Sequence, residues 1–529
     1  MIKGQKTAVV YDKWLDTLGG GEVVACNMAR ILKDLGYEVI FVCGKKISPK
    51  KIKLTLGIDL SDIKFEEVWN DEAKLRKIVL GKDLFINISF MDYSFGYAKK
   101  NIYYTLFPTE PYVNLKGKIF TEIILPLASK IIKPVEFIYE QPLTEIKNGN
   151  LAYPLEKPVK IAFSYLDKNK TYVLKFSLFL ENFYFNLFNK IDYHIIEAEI
   201  INKQIKIDHY HNVIHFYIKI KPQSSTIYLE IIPPQNLKPT HLLEKDKLYL
   251  LYPKIMNSKM PDILYKSVYE KINTRLRAGL FINILERLKS YQLILADSEF
   301  TKKWVKNYWK REAEVLYPSV DLLFEKYDLS KNKKRNWICN VGRFFTLGHG
   351  KKQEVLIEAL KKLYNLGYKD WELHLVGGLG KEPSSLKFAE YLKKQNKGYP
   401  IYFHFNVPRK KVEEILLKSK IYWHATGFGE DENIRPIKFE HFGIAPIEAM
   451  STGCVPVLFN GGGLPDTINS VRLDPNLHLF NTIAELIEKT NYQILHYQTQ
   501  SQKINQLYDK LTQNYDKKFF RKNFIELIK

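Results

Sequence analysis

Over residues 1–130, short apolar runs alternate with stretches whose apolar side chains recur every third or fourth position. Thr7–Tyr11, Glu38–Cys43, Asp83–Ile88 and Asn101–Leu106 read as strands, and Glu22–Leu35, closed by Gly36, reads as a helix. Strands alternating with helices predict a parallel sheet covered on both faces. The pattern changes over 131–245. Val159–Leu166, Thr171–Leu180, Asp192–Ile200, Val213–Lys221 and Thr226–Ile232 are rich in β-branched and aromatic residues, with no helical period between them. They predict an all-β module, a small sandwich inserted into the first α/β domain. Strand–helix alternation resumes at Gln292–Ala296, with Ser298 placed to cap a helix around Lys302–Trp309. Val315–Asp321 then leads into a Lys/Asn-rich stretch, 326–335, that reads as an interdomain linker.

A second strand–helix series follows. Trp337–Val341, Trp371–Val376, Ile401–Phe405, Ile421–Ala425 and Val455–Phe459 read as strands, and Gln353–Leu366, Lys410–Lys418 and Ile444–Ser451 as helices. Two doubly wound sheets place ligands beyond the carboxyl ends of their strands. The expected division is 1–130 and 246–322 for an N-terminal Rossmann-like domain, 131–245 for the insert, and 323–500 for a C-terminal Rossmann-like domain. A helical tail, 501–529, is expected to return to the N-terminal domain, with its helix near Lys517–Ile528.

Composition narrows the class. Hydrophobic residues at 46% and charged residues at 26% fit a folded globular chain. The four cysteines, Cys26, Cys43, Cys339 and Cys454, sit in apolar runs without metal or disulfide spacing, which fits a reducing cytoplasm. No apolar run reaches the ~20 residues that cross a bilayer, and no leader pattern opens the chain. Lys+Arg at 80 against Asp+Glu at 58 gives +22, spread along the chain rather than gathered in one arm. That charge suits phosphorylated substrates or an anionic membrane surface. Without a nucleic-acid-binding pattern, no nucleic-acid partner is expected.

The segment with most chemistry is Lys438-Phe439-Glu440-His441-Phe442-Gly443-Ile444-Ala445-Pro446-Ile447-Glu448-Ala449-Met450. Pro446 is comfortable only in a first helical turn, so the helix starts near Ile444. Gly443 then lies where a phosphate could meet free backbone N–H groups. Glu440 and Glu448 could accept hydroxyls at two ends of an elongated ligand, but on spacing alone they read as ordinary surface acids. Weaker features are His209, His211 and His215 on one strand face, which lack a fourth metal ligand, and the acidic run Glu430-Asp431-Glu432, read as a solvated loop. Lys118–Lys133 alternates apolar and basic residues; core packing and contact with a membrane surface remain equally open.

The surrounding motifs change the weight of Glu440 and Glu448. The segment resembles the E-x7-E signature of retaining family-four glycosyltransferases, which have the GT-B architecture. Asn340-Val341-Gly342-Arg343-Phe344-Phe345, Lys351-Lys352-Gln353 and Trp371–Gly378 resemble that family's donor-phosphate motif and next strand. Ala449–Val457 and Gly461-Gly462-Gly463-Leu464-Pro465-Asp466 resemble its C-terminal pattern, with Asp466 where a glutamate is common. Leu18-Gly19-Gly20-Gly21-Glu22 resembles its N-terminal glycine loop, and Tyr291–Thr301 the end of its N-terminal domain. The resemblance implies two Rossmann-like domains facing a cleft. It implies a hexose transferred from a nucleotide diphosphate sugar, GDP-mannose or a UDP-hexose, to a glycan or lipid-linked acceptor. Polysaccharide or glycolipid synthesis follows, in the cytoplasm or at the inner face of the membrane, with no metal or other cofactor.

By that resemblance Arg343 and Lys351 neutralise the donor diphosphate, with Lys352 as substitute. Glu440 contacts the donor sugar or its phosphate side, and Glu448 holds the ribose. Gly443 and Ile444 offer backbone amides, Gly462 and Gly463 complete the donor site, and Gly19, Gly20 and Gly21 turn the chain tightly towards a ligand. One departure stands out. Many relatives place a histidine in the stretch corresponding to Tyr103–Pro108, which has none here. The alternative is a non-catalytic glycan- or nucleotide-binding protein on the same scaffold.

Overall fold

The computed structural model describes residues 5–69, 71–111, 119, 123, 127, 135–137, 144–145, 151–155, 158–164, 166–180, 191–208, 213–233, 248–256, 284–345, 350–380, 383–396 and 398–529. Contacts divide the chain into two units, 1–103 with 109–292, and 104–108 with 293–529.

The first unit opens with β1 (Thr7–Asp12), β2 (Glu38–Cys43), β3 (Lys64–Glu67), β4 (Leu84–Asn87) and β5 (Lys100–Thr105), parallel in the order β5-β4-β1-β2-β3. β1 is an interior strand, and its residues from Ala8 onward are buried, as a strand covered on both faces must be. Helix Gly20–Asp34 follows β1 and puts Val24, Ala25, Met28, Ile31 and Leu32 into the core.

The all-β module is two antiparallel sheets. Its strands are β6 (Val135–Phe137), β7 (Thr144–Glu145), β8 (Leu151–Pro154), β9 (Val159–Phe163), β10 (Tyr172–Leu180), β11 (Asp192–Ile196), β12 (Ala198–Asp208), β13 (Val213–Pro222), β14 (Ile227–Ile232) and β15 (Leu248–Met256). They run in the orders β12-β13-β10-β15-β8-β7 and β11-β14-β9-β6. Alternate residues such as Leu174, Phe176, Ile218, Ile161 and Leu229 meet in one core, the mark of a sandwich. β15 lies beyond the expected boundary at 245 and pairs with β10. The reading missed it because its apolar run lacks alternation. The module is fastened to the α/β part through Asp71, which accepts from the Ser224 and Ser225 hydroxyls, and through Trp69 packed on Ala162.

The second unit begins with β16 (Leu293–Ala296), parallel to β17 (Glu314–Val315). Helix Glu299–Trp309 lies between them, and its cap is the expected one: the Ser298 hydroxyl accepts from Thr301 N. The stretch read as a linker, 326–335, is largely exposed but lies within the second unit; Lys326 pairs with Glu413, and the Lys334 ammonium donates to the Ser419 carbonyl. β18 (Arg335–Val341), β19 (Glu372–Gly377), β20 (Ile401–Phe405), β21 (Ser419–His424), β22 (Val455–Phe459) and β23 (Leu479–Phe480) form a parallel sheet in the order β20-β19-β18-β21-β22-β23. The closing helix, Lys517–Ile528, follows a tail whose Tyr515 accepts from Val320 N and whose Lys517 pairs with Asp321.

The expected class is therefore present in its parts: two Rossmann-like parallel sheets and an all-β insertion. All four cysteines are buried and free. Among the described residues, no helix is long and apolar enough to cross a membrane.

Candidate functional site

The residues singled out in the C-terminal half follow the carboxyl ends of β18, β21 and β22, three adjacent strands of the second sheet, along the chain. β18 runs out into Gly342-Arg343. Here glycine is obligatory for a steric reason, since a Cβ on Gly342 would sit 2.6 Å from Lys351 Cγ. The bare backbone lets the Lys351 side chain cross it, and the lysine's Nζ reaches Glu440 Oε2 at 2.5 Å. Both partners are largely buried, with 11% and 13% of their side-chain surfaces exposed. A motif separated in sequence thus closes on the first glutamate of the other.

Glu440 is held from a second direction. His424, the last residue of β21, places Nε2 at 2.7 Å from the same Oε2, Thr426 Oγ1 at 2.9 Å from that nitrogen, and Tyr422 OH at 3.2 Å from Nδ1. Burial pushes the His424 imidazole down towards its neutral form, against the pull of Glu440. The backbone is clamped too: Gly463 N donates to the Glu440 carbonyl at 2.7 Å. A Cβ on Gly463 would lie 2.1 Å from the His441 carbonyl oxygen, so this turn closes only with glycine. Gly463 therefore holds the Glu440 backbone directly, and Gly462 packs closely against it.

Arg343 is exposed, with its guanidinium carbon 5.2 Å from the centre of the Phe345 ring. Lys352 does not duplicate Lys351. It takes φ 53°, caps helix Gln353–Asn365, and pairs with Glu430 at 3.0 Å. The acidic run is accordingly engaged rather than simply solvated, since Glu432 pairs with Lys303 and accepts from Gly462 N. Phe345, Gly350, Lys352, Glu354, Phe388, Glu430 and Lys438 line a cavity of about 100 Å³ beside this pair.

Helix Ile444–Met450 begins where Pro446 requires, after Gly443 at φ 90°. Glu448 lies inside it, buried, and both its oxygens receive the Arg409 guanidinium, at 2.5 and 3.1 Å. Burial pushes the Glu448 carboxyl up, and Arg409 opposes that rise. The expectation of a glutamate open to a ribose is thus modified. The carboxylate is already half-satisfied, with one lone pair on each oxygen left for hydroxyls. Asp466 has a structural partner, accepting from Phe300 N at 3.0 Å, and burial pushes its carboxyl up to about 6.

In the first unit, Gly19 caps helix Gly20–Asp34 and its N–H donates to the Glu22 carboxylate. The left-handed turn before it belongs to Leu18, at φ 51°, and none of Gly19, Gly20 and Gly21 takes a positive φ. The glycines start the helix; they do not supply the turn. His209 and His211 lie outside the described residues, and His215 Nδ1 is 2.7 Å from Ser177 Oγ. Of Lys118–Lys133, only Ile119, Ile123 and Leu127 are described, all exposed.

Sequence reasoning missed His424 and Arg409. Each hides in an ordinary context, a strand end and a basic helix start, and only the fold brings them to the two glutamates.

Residues 324–506 match the family model described as Glycosyl transferases group 1. A GDP-Man:Man(3)GlcNAc(2)-PP-Dol alpha-1,2-mannosyltransferase of Xenopus tropicalis is 25% identical over 240 residues, 41% of this chain and 46% of that protein. A glycogen synthase of Thermosipho africanus is 25% identical over 225 residues, 41% of this chain and 42% of its own. The chain spans about half the length of the curated relatives it matches, or less. A glycosyltransferase crystal structure from Rickettsia africae aligns over 99% of this chain and 98% of its own, at 14% identity and a TM-score of 0.49.

Proposed function

Residues 324–506 form a glycosyl transferases group 1 domain, and from that premise we propose that the chain is a retaining glycosyltransferase using a nucleotide diphosphate sugar. The single observation that carries the proposal is the buried Lys351–Glu440 pair, which joins the segment after β18 to the segment before helix Ile444–Met450. In this reading Arg343 and Lys351 meet the diphosphate together with the Gly443 and Ile444 amides. Breaking the glycosidic bond leaves added charge on the departing phosphate, and fixed cations stabilise it without reorganising. Glu440 presents an acceptor to the sugar, and Glu448, oriented by Arg409, presents one to the ribose.

The donor is GDP-mannose or a UDP-hexose, and the mannosyltransferase relatives favour the first. The acceptor is a glycan or lipid-linked glycan, at the inner face of a membrane, and no cofactor is required. Release of nucleoside diphosphate from a panel of UDP-, GDP- and ADP-sugars tests this. Wild type should cleave one donor, and Lys351→Ala should lower kcat by about 10²–10³-fold, the loss seen when one oxyanion donor is removed. Equal background release by both proteins would instead favour a non-catalytic binder, the reading to which the absence of histidine in 103–108 lends support.

A further inference from the structure

We propose that His424 is a positioning residue for this transfer: as a neutral Nε2–H tautomer, locked by Tyr422, it fixes the orientation of the Glu440 carboxylate in the donor site. The inference rests on the function proposed above, and its chemistry comes from the hydrogen bonds around one imidazole. Glu440 Oε2 receives an ammonium from Lys351 at 2.5 Å. A carboxylate so paired is ionised and can only accept. His424 Nε2, at 2.7 Å from that oxygen, must therefore carry the proton. A neutral imidazole with its proton on Nε2 has an acceptor at Nδ1. The Tyr422 hydroxyl lies 3.2 Å from Nδ1 and 3.5 Å from the Val341 carbonyl, and with Nδ1 unprotonated it donates to that nearer acceptor. Thr426 Oγ1, at 2.9 Å, shares the Nε2 proton as a second acceptor.

The site is built to keep this state. His424 has 1% of its side chain exposed, and Tyr422 and Thr426 are fully buried. The charged groups facing the ring are Glu440 and Lys351; burial and Lys351 disfavour a second proton, while Glu440 favours one. Two donors thus meet on Oε2 from different directions, and the carboxylate loses its freedom to rotate. A reacting group displaced by about 1 Å can lose 10²-fold in rate, so fixing Glu440 matters to kcat rather than to donor affinity.

Three variants and one spectrum test this. His424→Leu keeps bulk and removes both ring nitrogens. It should lower kcat for donor cleavage by about 10–100-fold, with donor KM within a few-fold of wild type. His424→Gln, whose amide N–H can replace Nε2–H, should recover most of that loss. Tyr422→Phe frees Nδ1 and should give kcat a new dependence on pH below neutrality. Unchanged kcat in His424→Leu, or no recovery in a His424→Gln that melts like wild type, would overturn the proposal. The spectrum needs no activity. In protein labelled with 15N-histidine, one ring should show a protonated Nε2 and an unprotonated Nδ1 from pH 5 to 8, and that signal should vanish in His424→Leu. A His424 that titrates near neutrality, or shows the opposite tautomer, defeats the inference even if wild type cleaves a donor. If wild type cleaves none, the function fails while the spectrum still reports the tautomer, and the positioning role falls with the function.

Discussion

Asp297→Asn should make the second unit more resistant to heat at alkaline pH and leave it nearly unchanged in acid. Asp297 follows β16 and is 4% exposed; its N–H donates to the Thr105 carbonyl, and the Ser298 hydroxyl donates to Oδ1 at 3.1 Å. Burial pushes its carboxyl from 3.8 up to about 7, with hydrogen bonds from Thr301 and Ser298 opposing and the charge on Glu440 adding. An acid whose folded value lies above its unfolded value holds more protons when folded than when unfolded between the two. Stability therefore falls as pH rises from 3.8 towards 7, and the loss is complete above that. At about 1.36 kcal/mol per pKa unit, the full penalty is on the order of 4 kcal/mol, of which about 3 accrues between pH 5 and pH 8. Asparagine has nothing to ionise. With each kcal/mol worth about 2–4 °C in a domain of 150–250 residues, the variant should melt up to about 10 °C above wild type at pH 8 and much closer to it at pH 5. Calorimetric scans at both pH values decide. An equal gap at the two, or none, would mean that Asp297 is not held protonated by burial.

Three further outcomes are expected. Arg409→Met should leave Glu448 buried without its cation and cost about 3–5 kcal/mol, read as a lowered denaturation midpoint; adding Glu448→Gln should restore most of it. Gly463→Ala should destabilise the second unit and weaken donor cleavage together, because its Cβ would lie 2.1 Å from the His441 carbonyl oxygen; thermal melts and kinetics should fall in parallel. His374 is buried between Trp337 and Tyr402, and burial pushes its imidazole down to about 3. The unfolded chain then takes up a proton that the folded one refuses, so stability is lost as pH falls from 6.5 towards 3. His374→Phe should flatten that acid limb in pH-dependent melts.

How far the sequence foretold this structure depends on the range of each interaction. Pro446 and Gly443 fixed a helix start within a few residues, and Ser298 did the same for Glu299–Trp309, because caps act locally. The parallel sheets followed from apolar runs such as Val9-Val10 and Val455–Phe459, buried on both sides. Contacts across many residues were not legible. Nothing around Arg409 announces Glu448, and nothing in Leu18 announces that it, rather than the glycines after it, takes the left-handed turn. The stretch 326–335 is as solvent-exposed as its lysines and asparagines suggest, but it lies inside the second unit, where the Lys334 ammonium ties it to the Ser419 carbonyl, a contact 85 residues away. Lys351 and Glu440 were singled out separately, and only the fold joins them in one ion pair.

The bracket between Gly463 N and the Glu440 carbonyl also orders events on the ribosome. A growing chain that has emerged only as far as Phe459 owns Lys351, His424 and Glu440, yet lacks the turn that clamps the Glu440 backbone. The backbone clamp on Glu440 can close only after the Gly461-Gly462-Gly463 turn has cleared the exit tunnel. A product truncated before that turn would carry the charged side chains without the backbone clamp on Glu440.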